Sequence, residues 1–274
     1  TFSRFGQKAI EEKVYTSTLI LEGTDTEIFK PMDKMEMRKK WGCPQDVFLF
    51  GMVAANKENP PRKGFQEAIE AFKLFSDKHP EARMFFHTQQ VSPHGFPIKQ
   101  LMNHLGIGDK AIFLDDYRGT FNSRSHDIAE EMNMFDVLLH PSHTEGFGLT
   151  VIEAASCGVP SIVTDTTSMP EMIIPGVTGE IAEIDRHRFT PDNTWVWSAK
   201  VDSIYGCMER LYTKLKGENT IAKDCREHVL KNYNIETIVN EKWLPLLSDL
   251  QDELLPKPLP KPDNSPTIDT APTK

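Results

Sequence analysis

Val137-Leu-Leu-His-Pro-Ser-His-Thr-Glu-Gly-Phe-Gly-Leu-Thr-Val-Ile-Glu-Ala-Ala-Ser-Cys-Gly-Val-Pro-Ser-Ile-Val-Thr-Asp165 is the stretch on which the fold turns. It reads strand, loop, helix, strand. The short apolar run Val137 to Leu139 abuts turn residues, as a buried strand does. Pro160 to Thr164 repeats that pattern after Gly158, a residue suited to the position just past a helix C-terminus. The helix between them is expected to start near Gly148.

That helix carries one carboxylate, Glu153, among Leu149, Val151, Ile152, Ala154 and Ala155. Either it lies on an exposed flank or it faces a cleft or a hydrogen-bond donor, because an unpaired buried carboxylate costs several kcal/mol, roughly the net stability of a small domain. Glu145 lies eight positions earlier, in the loop. Were both helical they would stand about 80° apart, so the loop has to bring Glu145 round to the helix N-terminus. The free N–H groups of Gly146, Phe147, Gly148 and Leu149, with Thr150 following, and the positive end of the helix dipole make that terminus an anion site. Two carboxylates flanking such a cradle suit a ligand that carries both hydroxyls and phosphate.

Glu145 and Glu153, spaced within Pro-Ser-x-x-Glu-Gly-Phe-Gly-Leu-x-x-Ile-Glu-Ala-x-x-x-Gly-Val-Pro, resemble the signature of the retaining nucleotide-sugar glycosyltransferases with the GT-B fold. Phe50-Gly51 and Pro61-Arg62-Lys63-Gly64-Phe65 upstream, and Met169-Pro170-Glu171 and Gly176-Val177-Thr178-Gly179 downstream, extend the likeness over roughly residues 15 to 250. It implies the C-terminal, donor-binding half of such an enzyme, with most of the N-terminal Rossmann-like domain absent. On that resemblance Lys63, with Arg62, neutralises a diphosphate leaving group, Gly146 to Thr150 cradle phosphate and sugar, Glu145 holds the sugar hydroxyls and Glu153 the ribose. The family's further arginine after the first strand has no counterpart among Met52 to Asn56, and Asn56 or Arg62 is expected to substitute. The donor is a nucleotide-sugar, no metal or other cofactor is implied, and the acceptor is a glycan, lipid or protein. An epimerase or phosphorylase on the same scaffold, or a non-catalytic nucleotide-sugar-binding module, are the alternative readings.

Composition narrows the classes independently. The 274 residues are 39% hydrophobic, ample for a globular core, and 40 acidic against 31 basic residues give a net charge of −9. That balance argues against a nucleic-acid-binding surface. The apolar runs fall far short of the ~20 residues a membrane span needs. No signal-peptide pattern is seen, and an opening Thr1 in place of Met reads as a fragment or processed chain. Cys43, Cys157, Cys207 and Cys225 are widely spaced and read as reduced packing residues of a cytoplasmic protein.

The alternation along the chain predicts an α/β, doubly wound parallel sheet, Rossmann-like. Residues 1–45 are expected to be the end of an N-terminal domain plus a linker, with a strand at Leu19 to Leu21. Residues 46–250 are expected to form the nucleotide-sugar-binding domain, and 251–274, with six prolines, a disordered tail. Strands are expected at Val47 to Val53, Arg83 to Thr88 and Ala111 to Leu114. Helices are expected from Phe65, over Pro97 to Leu105 and over Ile128 to Met134, then near Ser198 to Leu215, Ile221 to Lys231 and Ile235 to Leu250. The loop Ala54 to Gly64, rich in Lys57, Arg62 and Lys63, joins a strand to a helix start; it reads either as a phosphate site or as a solvated charge cluster. Gly106-Ile-Gly-Asp-Lys-Ala111 fits the dinucleotide fingerprint formally, but follows a helix and leads into a strand, the reverse of what that motif needs. Polar Asp115 to Ser125 is read as lining for a nucleotide base, with Tyr117 as a stacking surface. Thr166 to Glu171 is expected to cap a short helix. His140 and His143 lack further metal ligands at a recognised spacing and read as structural or sugar-contacting.

Overall fold

The computed structural model describes residues 1–13, 15–58, 61–90, 92–114, 124–191 and 193–254. Six strands form one sheet: β1 (Phe48–Val53), β2 (Ala82–His87), β3 (Ala111–Phe113), β4 (Val137–His140), β5 (Ser161–Thr164) and β6 (Gly179–Ala182). Their order is β3-β2-β1-β4-β5-β6, and every pairing is parallel. The order reverses between β1 and β4. Their carboxyl ends therefore flank the switch point where doubly wound sheets bind ligands.

Both faces of the sheet are buried, which is why β1 and β4 read as apolar runs without alternation. Alternate residues of β1 feed two cores. Phe48, Phe50 and Met52 pack with Phe65, Ile69, Phe72 and Phe75 of α3 (Phe65–Lys78), with α4 (Ile98–His104) and with Ile204, Met208 and Leu211 of α7 (Val201–Lys216). Leu49 and Val53 pack on the other face with Phe135 and with Ala129 and Met132 of α5 (Ser125–Met132). Gly51 is glycine because a Cβ there would stand 2.1 Å from the Phe135 ring.

The helix expected near Gly148 is α6 (Leu149–Ser156), ending at Gly158, whose φ is 83°. The fingerprint-like stretch at Gly106 is a helix stop, a 3-10 turn at Gly108–Lys110 and the entry to β3.

Several expectations are corrected. Leu19 to Leu21 form no strand: Ile20 N donates to Thr1 O, and the lead-in carries an unexpected helix, α1 (Arg4–Glu11), besides α2 (Lys34–Lys40), where Met35 to Trp41 reads as helical turns. The lead-in is tied to the sheet domain by buried Arg38, which bonds Met134 O and Asp136, and by Arg226 of α8 (Ile221–Asn232), which bonds Phe29 O and Thr26 O. Residues 184–199 fold as an antiparallel hairpin, β7 (Ile184–Phe189) with β8 (Trp195–Ala199), so the next helix begins at Val201 and not near Ser198. The C-terminal helical run includes a π turn at Val239–Trp243 and continues to Leu254, past the expected tail boundary at 251. Residues 255–274 and 115–123, with the tail and the base-lining reading of Tyr117, lie outside the described residues.

Candidate functional site

The loops leaving β1 and β4 meet at the switch point. Gly64 allows it: at φ 67°, a Cβ would come within 2.0 Å of Pro141 O, so only glycine admits this approach. One backbone bond, His143 N to Arg62 O at 2.8 Å, fastens the loops together.

This contact places basic residues of one loop on the carboxylate of the other. Lys63 Nζ lies 2.6 Å from Glu145 Oε1, and Arg62 Nη1 lies 3.2 Å from Oε2. His140 Nε2, at the end of β4, lies 3.3 Å from Oε1. Arg62 also donates to Thr144 O at 2.7 Å and pairs with Glu58. Burial works to raise the Glu145 pKa, but the hydrogen bond and charge of His140, with the Lys63 ammonium, outweigh it and hold the carboxyl well below the usual carboxylate range.

Thr166 to Glu171 acts differently from expectation. The segment does form a short 3-10 turn, Met169–Met172, but its hydroxyls cap no helix. Thr167 Oγ1 accepts from Glu145 N at 3.1 Å, and Ser168 Oγ donates to Glu145 O at 3.1 Å and Phe147 O at 2.7 Å. Thr167 takes φ 53°, a strained value for a β-branched residue, next to the loop it holds.

Lys63, Glu145 and the run Gly146, Phe147, Gly148, Leu149 and Thr150 line one cavity of about 330 Å³. The N-terminus of α6 opens onto it. Phe2 and Glu22 complete the lining; sequence reasoning missed both. Glu22 brings a second carboxyl group to the lining, and partial burial raises its pKa.

Two expected residues sit apart. Glu153 follows one turn behind Leu149 and Thr150 on α6, outside the cavity lining. Its carboxylate has no hydrogen-bond partner among the described residues, and burial pushes its pKa up to about 7. Asn56 is engaged elsewhere. It is buried, donates to Gln89 O and Phe96 O and accepts from Phe96 N at 2.6 Å, so both amide hydrogens are spent on bracing a neighbouring loop.

Among the described residues no group of three or more His, Cys, Asp or Glu could hold a metal ion. No described helix is long and apolar enough to cross a membrane.

The chain belongs to the glycosyl transferases group 1 family, whose model matches residues 33–188. A curated relative, the N-acetyl-alpha-D-glucosaminyl L-malate synthase of Bacillus anthracis, is 26% identical over 218 residues, 79% of this chain and 50% of that protein. The chain spans half or less of the length of the curated relatives it matches first. Sucrose-phosphate synthase from Thermosynechococcus elongatus shares the fold with TM-score 0.75 at 20% identity, covering 92% of this chain and 58% of that one. Anabaena HepE, solved with UDP-glucose, shares it with TM-score 0.68 at 20% identity, covering 90% and 62%. The protein is thus similar to the C-terminal half of GT-B enzymes, as the Glu145–Glu153 signature led us to expect.

Proposed function

We propose that this chain is the donor-binding half of a retaining glycosyltransferase that moves a sugar from a nucleoside diphosphate to a glycan, lipid or protein acceptor. The observation that carries the reading is the convergence of Lys63, Arg62 and Glu145 beside the N-terminus of α6, in one cavity at the switch point. Cations and free backbone N–H groups there match a diphosphate, while a buried carboxylate held ionised matches the hydroxyls of a sugar.

In this reading the diphosphate draws Lys63 away from Glu145 and leaves that carboxylate free to accept from sugar hydroxyls. Negative charge grows on the departing phosphate as the glycosidic bond breaks, and Lys63 and Arg62 stabilise it. The role goes to side chains, with no metal or cofactor assigned. Glu153, one turn deeper along α6, takes the ribose hydroxyls once ionised. An N-terminal Rossmann-like domain preceding the linker supplies acceptor positioning and water exclusion, effects together worth about 7–11 kcal/mol of barrier. The four buried, free cysteines support a reducing compartment, the cytoplasm.

The test is calorimetry of the purified chain with UDP and UDP-glucose, followed by a turnover assay with an acceptor panel. Saturable binding of both without acceptor-dependent release of UDP is expected. Absence of binding by UDP, and by ADP, GDP, CDP and dTDP titrated in the same way, would remove the reading.

A further inference from the structure

A second cavity, of about 500 Å³, draws on the same two loops. The first cavity takes Lys63 and Glu145 from them; the second takes Pro61 and His143. Hairpin β7–β8, which belongs to neither the sheet nor its covering helices, walls it. Trp197 N donates to His143 O at 3.1 Å, and Arg188 Nη2 donates to Pro61 O at 3.2 Å. His143 Nε2 in turn meets Glu67 Oε1 at 2.9 Å.

The lining chemistry restricts the ligand. The cavity lining combines the carboxylates of Glu67, Glu70 and Asp185 with the guanidinium groups of Arg186 and Arg188, and Phe96 and Val201 add apolar surface. Opposite charges nearly balance. A strongly anionic or cationic molecule would meet as much repulsion as attraction, whereas hydroxyls, which both donate and accept, suit a lining of mixed charge. The rim adds an independent observation. The His187 ring, part of the lining, packs edge-on to Trp195 at 4.7 Å, and Trp195 packs on Phe189 at 5.2 Å. Trp195 is 50% and Phe189 55% exposed. Large aromatic faces left in water beside a polar cavity offer a platform for the C–H face of a sugar ring.

We propose that this cavity is a saccharide-binding site distinct from the nucleotide site, holding a neutral sugar chain between the Glu67–Glu70 flank of α3 and hairpin β7–β8, with Trp195 as its stacking surface. The site stands whether or not the first cavity takes a nucleotide.

The experiment titrates the full chain with maltose, cellobiose and lactose, read by Trp fluorescence and calorimetry, in the absence and presence of saturating UDP. Saturable millimolar binding of at least one disaccharide is expected, undiminished by UDP. Trp195→Ala and Glu70→Gln should each weaken it about tenfold or more, equivalent to ~1.4 kcal/mol, while UDP affinity stays unchanged. Trp195 is half exposed, so its variant keeps the fold even where Glu70→Gln does not. No saturable binding by any of the three sugars, displacement by UDP, or full affinity in both variants would overturn the assignment. UDP binding in the same samples reports separately on the nucleotide reading.

Discussion

Lys63 and Glu145, 82 residues apart in sequence, close a 2.6 Å ion pair across two loops that leave different strands. Their side chains are only 17% and 11% exposed. Removing Glu145 leaves the Lys63 charge largely buried beside the helix terminus. Glu145→Gln should cost roughly 1–3 kcal/mol in urea unfolding at pH 7. The Glu145 pKa is lowered in the fold, so its contribution is present above the ordinary carboxylate range and is lost as pH falls below it. The difference between wild type and Glu145→Gln should therefore shrink in acid; a constant gap down to acid unfolding would contradict the pairing.

Glu153 carries the opposite sign. Burial raises its pKa from an ordinary value near 4.5 to about 7, so within that window the folded chain holds a proton that the unfolded chain has released. Stability then falls as pH rises from 4.5 to 7 and levels off above, by at most roughly 3.5 kcal/mol at about 1.4 kcal/mol per pH unit. Glu153→Gln should be close to neutral at pH 5 and stabilising at pH 8, as thermal melts at the two pH values would reveal. Equal effects at both would show that the carboxylate is not desolvated.

The same residue links binding to protons. If ribose hydroxyls donate to Glu153, a nucleoside diphosphate favours its ionised form and expels a proton near pH 6. Calorimetry of UDP in buffers of different ionisation enthalpy should register that release, and Glu153→Gln should reduce it to what the terminal phosphate, with its second pKa of about 6, gives up beside Lys63 and Arg62. Proton uptake in the wild type would place the ribose elsewhere.

Two loop glycines should behave oppositely. Gly64→Ala meets Pro141 O and a positive φ, and should cost roughly 2 kcal/mol or more. Gly146 has nothing within 4 Å of a built Cβ, yet it lines the cavity. Gly146→Ala should change stability by about 0.5 kcal/mol or less while weakening UDP binding. Unfolding curves and titrations of both variants separate packing from ligand contact; undisturbed UDP affinity in Gly146→Ala would remove that loop from the site.

The sheet was legible because its strands are buried on both faces: Phe48 to Val53 and Val137 to Leu139 could be apolar without a break only in that setting. Hairpin β7–β8 escaped because Ile184 to Phe189 is largely exposed and carries no burial pattern, although the Thr-Pro-Asp-Asn run at 190 to 193 is a turn signal. Glu145 and Lys63 were each legible as chemistry, but their pairing was not, since it depends on how closely Gly64 lets two loops approach. The bonding of Asn56 was hidden for a similar reason. Its partners, Gln89 and Phe96, belong to a loop whose position no local pattern reports. Phe2 and Glu22 reach the cavity from a lead-in whose local pattern suggested a strand.

The most direct test compares UDP with uridine on the wild-type chain and on Lys63→Ala. A charge-assisted contact to phosphate is worth about 1.5–3 kcal/mol. The account predicts that Lys63→Ala weakens UDP by roughly ten- to a hundredfold and leaves uridine nearly unchanged. Equal losses for UDP and uridine, or no loss for either, would contradict the claim that this loop receives the diphosphate.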